Sequence, residues 1–309
     1  MAAGAAQAPL RRAGQGKLRP GSDDHKTAFA RMLLDTHNPY KPAIIDWPQL
    51  DDEARERLVS LPIWDIAVQT EGKASTRVMS YAQTIADPLL REALTLNGFE
   101  EARHKNVLAN MVAAYGIRLA PEPEYLRPRY PRWAFLTTGL SECIDSFFAF
   151  GLFAVARHSR FFPPELVETF EPVMQEEARH ILFFVNWLAW YRRNLPWWKR
   201  PWFWGVIALA WVRLVHERIG LARGIGASRD EAPQDNNFTL TGSKAVADIE
   251  LAPATLLDLC LAENERRMAG YDPRLLRPQT VPRLVRFVRR FMRPRPPSDR
   301  SGRPAALQP

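Results

Sequence analysis

The chain has 309 residues, 46% of them hydrophobic, and its 42 Lys and Arg outnumber 34 Asp and Glu for a formal charge of +8. Such a chain can bury a sizeable core, and its length permits one or two domains; the dominance of helical periodicity favours one large domain with tails. Two cysteines, Cys143 and Cys260, form no C-x-x-C step. They exclude a disulfide framework and a cysteine-held iron–sulfur cluster, and read as small buried residues.

Residues 1–50 read as a disordered or irregular arm. The first 24 are rich in Ala, Gly, Arg and Pro and lack the apolar stretch of a secretory signal, which points to a cytoplasmic protein. Residues 51–225 read as a helical bundle. A preparatory helix is expected near Asp51 to Leu61, then a helix from about Ile63 to Ile85 and another from about Pro88 to Tyr115, stopped by Gly116. Four prolines between Ile117 and Pro131 mark a long crossover to a third bundle helix, about Arg132 to Arg157. Pro163 and Pro164 open the fourth, in which Pro172 either makes a kink or marks the true first turn.

The most informative feature lies on these helices. Glu100-Glu101-Ala102-Arg103-His104 recurs unchanged 76 positions later as Glu176-Glu177-Ala178-Arg179-His180. Each copy holds a Glu-x-x-His step, and residues three apart share a helix face. Glu71 lies 30 residues before Glu101, and Glu142 lies 35 before Glu177, each about one helix upstream. The order Glu, Glu-x-x-His, Glu, Glu-x-x-His is the ligand set with which a four-helix bundle holds a pair of metal ions. The apolar spacing places all six on inward seams: Leu90, Leu94, Asn97, Glu101, His104 and Met111 on one, Leu166, Val173, Glu177, His180, Phe184 and Trp187 on another. Four carboxylates facing a core need cations, because a buried unpaired charge is costly.

The paired pentapeptides resemble the acidic-Glu-x-Arg-His motif of the ferritin-like di-iron carboxylate superfamily, which includes acyl-carrier desaturases, multicomponent monooxygenases, rubrerythrins and ring hydroxylases. The resemblance runs from about Ile63 to Tyr191 and selects no single member. It implies an all-α fold, a ferritin-like four-helix bundle with additional C-terminal helices. It also implies two iron (or manganese) ions, one held by Glu71, Glu101 and His104 and the other by Glu142, Glu177 and His180, with Glu101 and Glu177 bridging and O2 or peroxide activated between them. In desaturase-like members the preceding acid reaches the opposite His. Carried over, Glu176 would hold His104 and Glu100 would hold His180, with Arg103 and Arg179 paired to those acids; the alternative is that both acids face solvent. Asp145 resembles an extra rubrerythrin carboxylate, and reads equally as an outer acceptor or a polar core residue.

The expected activity is that of an O2-dependent oxygenase or hydroxylase acting on a small apolar or aromatic organic substrate. Phe147, Phe148, Phe150, Phe153, Phe183 and Phe184 either line its pocket or form plain core. No nucleotide-binding glycine motif accompanies the site, so electrons would come from a separate donor protein. Two alternatives are a rubrerythrin-like peroxidase or iron-handling protein, and a metal-free helical interaction or membrane-adaptor protein.

Beyond the bundle, seven Trp lie between Trp187 and Trp211, interleaved with Arg192, Arg193, Lys199 and Arg200. They suit a membrane interface or a fifth helix packed on the bundle. The uncharged run Pro201 to Val212 is too short to span a bilayer. Residues 226–272 read as a loop and an additional helix, and 273–309 as a basic amphipathic helix with a disordered tail. That last stretch carries ten Arg and one Asp, a local charge of +9. Its helix, Val281 to Arg293, suits an anionic membrane on the inner face, an acidic partner or simple solvation. Nucleic acid is not expected, since no binding motif accompanies the charge.

Overall fold

The computed structural model describes residues 16–61, 63–159, 162–224 and 252–292, with backbone alone at 219–224. The described residues are helical and irregular, without strands. In chain order the helices are α1 (Asp23–Asp35), a 3-10 turn (Pro42–Ile44), α2 (Asp52–Ser60), α3 (Trp64–Ala82), α4 (Pro88–Ala114), α5 (Pro131–Ser159), α6 (Pro164–Thr169), α7 (Glu171–Asn194), α8 (Lys199–Gly224), α9 (Pro253–Met268) and α10 (Thr280–Arg289).

Local chemistry sets the boundaries. The Asp87 carboxylate accepts from the Leu90 N–H at 3.1 Å and Pro88 fills the first turn, so α4 starts cleanly. At its other end Gly116 takes φ +70°, a conformation that stops the helix without a Cβ penalty. The fourth helix is broken in two at Phe170, and Pro172 sits in the first turn of α7, so this proline starts a helix rather than kinking one.

Helix α3 lies along α4, α5 packs on both α3 and α7, and α4 and α7 approach where the two pentapeptides face each other. One large apolar cluster runs through all four, with Tyr81 stacked on Phe135 and both edge-on to Trp187. Helix α9 seats on α5, where Gly151 is needed: a Cβ there would lie 2.2 Å from Cys260 Sγ. Helix α5 is long and apolar enough to cross a membrane by length and composition. It carries Glu142 at mid-length and its apolar side chains are spent on neighbouring helices, so it is read as a core helix.

The expectation of an irregular arm through residue 50 needs correction, because α1 is part of the core. Ser22 caps it, and Phe29, Ala30 and Leu33 are fully buried between α4 and α7, with Phe29 edge-on to Phe183 at 5.4 Å. Truncating a buried Leu such as Leu33 to Ala costs about 2–5 kcal/mol. His25 fixes α1 further: its Nδ1 accepts from the Gly21 N–H, so its Nε2–H is the donor to Asn186 Oδ1 at 2.9 Å. Residues 1–15, 225–251 and 293–309, which include the expected tail and most of the expected loop, lie outside the described residues.

Candidate metal centre

The centre is built from the middle of four helices. Glu101, His104, Glu177 and His180 are all buried, and one ligand atom from each lies within 4.8 Å of the others. These four can hold a metal ion. Glu71 approaches from α3, with Oε2 3.7 Å from His104 Nδ1, and Glu142 faces the same space from α5. The shortest approaches cross between the two pentapeptides: His104 Nδ1 to Glu177 Oε1 is 3.0 Å, and His180 Nδ1 to Glu101 Oε1 is 2.8 Å. Ser146, one turn beyond Glu142, donates to Glu177 Oε2 at 3.1 Å.

The donor set fits a cation. His104 Nδ1, His180 Nδ1, Glu101 Oε1 and Glu142 Oε1 are buried and none makes a hydrogen bond of proper angle, the short His–Glu approaches included. Buried polar atoms are usually paired, so four unpartnered ligand atoms converging on one space suit a bound cation. Titration in the ion-free protein says the same. Burial, with Glu101 and Glu177 adding repulsion against the attraction of the nearby His104 imidazole, pushes Glu71 up to about 8. Burial and the same two carboxylates raise Glu142 well above the carboxylate range. Burial opposes charge on His180, yet Glu101 and Glu100 carry it up to about 10. Without a cation, these buried groups favour their protonated forms.

Each imidazole turns its other nitrogen outward, as metal-binding histidines do toward a carboxylate. His104 Nε2 meets Glu176 Oε2 at 2.8 Å and His180 Nε2 meets Glu100 Oε2 at 2.8 Å. Arg103 donates to Glu176, and Arg179 donates to Glu100 Oε1 at 3.0 Å. The reading of Glu100 and Glu176 as solvent-facing is overturned: both are buried, as are both arginines. The chain leaving α1 covers them. His37 Nδ1 lies 2.6 Å from Glu100 Oε1, Tyr40 donates to Glu176 Oε2 at 3.3 Å, and Arg103 donates to the Asn38 carbonyl at 2.7 Å while stacking over the Tyr40 ring. Arg179 reaches Thr36 Oγ1 at 2.9 Å and the Leu33 carbonyl. Burial opposes ionisation of Glu100, but His180, Arg179 and His37 together hold its carboxyl far below the usual range.

Two expectations change. Asp145 is engaged by Arg218, which donates to both its carboxylate oxygens at 2.8 Å, and by Ser141 at 2.8 Å, so it is held by α8 rather than by a histidine ligand. The phenylalanines are core: Phe184 fills the space over Gly139, Phe147 packs beneath α10, and none of the six lines the cavity that reaches the carboxylates. That cavity, about 620 Å³, opens between α3, α5, α8 and the crossover. Its walls are mixed: Thr70, Thr76, Thr137, Thr138, Ser141 and Ser146 beside Tyr125, Trp133, Val173 and Met174, with Lys73, Arg77, Arg127 and Arg129 toward the crossover.

Sequence reasoning missed His37, Tyr40 and Ser146. The N-cap signal at Ser22-Asp23-Asp24 and the Phe29, Leu33 spacing were enough to place α1, and from it the two outer residues. Comparison with protein-family models, curated proteins and solved structures gives no match.

Proposed function

We propose that this chain is a ferritin-like di-iron oxidoreductase that activates O2 and hydroxylates a small organic substrate in the cavity beside Glu71 and Glu142. The observation that carries the reading is the set of four orphaned ligand atoms converging from both pentapeptides. Glu71, Glu101 and His104 would hold one ion, and Glu142, Glu177 and His180 the other. The crossed approaches of Glu101 to His180 and of Glu177 to His104 support these two as the shared carboxylates.

Two ferrous ions, when bound, supply electrons for splitting O2. The chain does the rest. Glu100 and Glu176 fix both imidazoles with Nδ1 toward the ions, and Ser146 orients Glu177. α1 and the residues after it keep water from the outer side, while the cavity admits substrate from the other. One oxygen atom enters the substrate and the other leaves as water, which consumes two protons and two electrons from a separate donor protein. The hydroxyl-bearing walls, in which acids and cations are about balanced, favour an organic substrate with a polar group over a wholly apolar one. The peroxidase alternative loses its supporting residue, because Asp145 is held by Arg218.

The test is anaerobic reconstitution with Fe(II), metal analysis, then O2 exposure followed by absorption spectroscopy. Two ions per chain and a transient visible absorption after O2 are expected. Binding of one ion or none would overturn the proposal.

A further inference from the structure

Helix α8 packs on α5 and α7 through Phe203, Ile207, Ala210 and Leu214, yet its opposite face is also apolar. Trp202 is 78% exposed, Leu209 61%, Val212 66% and Trp204 53%, and the turn before the helix exposes Trp197 and Trp198 at 74% and 62%. A surface helix ordinarily turns polar residues outward, and a run of exposed aromatic and aliphatic side chains marks a contact surface. Between Tyr191 and Val212 the chain has four cations, Arg192, Arg193, Lys199 and Arg200, and no acid. Arg192 lies over the Trp204 ring at 4.6 Å, so charge and aromatic surface belong to one patch.

We infer that this face docks on the anionic lipid surface of a bilayer. The charge-free stretch Pro201 to Val212 is about 18 Å long as a helix, well short of the roughly 30 Å hydrocarbon core, so α8 lies in the interface rather than across it. Tryptophan beside Arg and Lys is the composition that interface takes. Charge decides against a second copy of the chain: a two-fold contact would set the four cations of one copy near the same four of the other, whereas an anionic lipid surface complements them. Helix α10 also exposes Leu284, Phe287 and Val288, but its Arg286 and Arg289 are already paired with Glu265 and Asp258 of α9, whereas no acid lies among the α8 cations. The inference is independent of the metal-centre reading.

The test mixes the full chain with vesicles of phosphatidylcholine alone or with phosphatidylserine added. Co-sedimentation with the phosphatidylserine vesicles at low salt is expected, weakening as salt rises, with tryptophan emission quenched by brominated lipid. The double variant Trp202→Glu with Leu209→Glu should lower vesicle binding at least tenfold and leave the thermal midpoint and metal content unchanged. The quenching experiment needs no variant, so it stands even if the double variant misfolds. The inference is overturned if wild type ignores phosphatidylserine vesicles at low salt, if brominated lipid leaves the emission untouched, or if a folded double variant binds like wild type. Light scattering that shows a wild-type dimer broken to monomer by the substitutions would overturn it as well, making the face a protein interface.

Discussion

The two pentapeptides are identical in sequence and unlike in surroundings. Glu100 receives His180, Arg179 and the partly exposed His37; Glu176 receives His104, Arg103 and the hydroxyl of Tyr40. On the cavity side, Glu71 comes within 3.7 Å of His104, whereas Glu142 has an unpaired oxygen and stands one turn from Asp145, which Arg218 holds. The repeat therefore supplies ligands, and elements outside it make the halves different. On the proposed two-ion reading, a site whose halves differ would hold its ions with different affinities.

The largest expected effect is at the shared carboxylates. Glu101→Ala or Glu177→Ala should remove most of the metal from both halves, while Glu168→Ala, on the exposed end of α6, should leave two ions bound; metal analysis after reconstitution reads this directly. Two ions retained in Glu101→Ala would show that this residue is not shared. Next come the outer acids. Glu100→Gln and Glu176→Gln should each weaken metal binding by about 10- to 100-fold, the range for partners of ligating histidines. The greater loss is expected at Glu100, where a second imidazole, His37, joins His180 and Arg179, against a tyrosine hydroxyl at Glu176. Wild-type affinity in both variants would reduce these acids to packing.

A sharper probe follows from the residues after α1. His37→Ala should weaken the half that contains His180, and Tyr40→Phe the half that contains His104, each by less than about tenfold; a stepwise metal titration separates them. Equal weakening of both steps by either variant would mean that the halves are not distinct. The smallest effect concerns pH. In the ion-free chain Glu71 titrates at about 8 against 4.5 for an ordinary Glu, so over that interval the folded state binds more protons than the unfolded state. Stability from this group is complete below pH 4.5 and is lost as pH rises toward 8. His180, raised to about 10, acts in the same direction at higher pH. Bound ions replace those protons, so the gain in thermal midpoint on metal loading should widen between about pH 5 and 8. A constant gain would count against the coupling.

Much of this was legible in the sequence because it depended on periodicity. α3, α4 and α5 start and stop within a few residues of their expected bounds, the fourth helix is split at Phe170, and the seam that carried Glu101 and His104 also carried Leu90 and Leu94 into the core. α1 escaped because an Ala-, Gly- and Pro-rich leader masked a short helix whose Phe29 and Leu33 gain their stability from α4 and α7 rather than from local propensity. The partner of Asp145 was illegible for a similar reason. Its neighbour on α5 is Glu142, but its partner, Arg218, lies 73 residues away and no local pattern links them. The phenylalanines stayed open between pocket wall and plain core because periodicity fixes which face is buried, not whether that face meets a cavity or another side chain.

The cover formed by α1 and the residues after it has a kinetic consequence. With Arg103, Arg179, Glu100 and Glu176 sealed beneath it, the ligands meet open space through the cavity between α3, α5 and the crossover. On the proposed reading, ions and substrate would share this opening among the described residues and would pass in order, ions first. A molecule lodged in the cavity should lock the ions behind it, so chelator-driven metal loss should slow when the cavity is filled. Equal rates of loss with the cavity filled and empty would reveal a second way out.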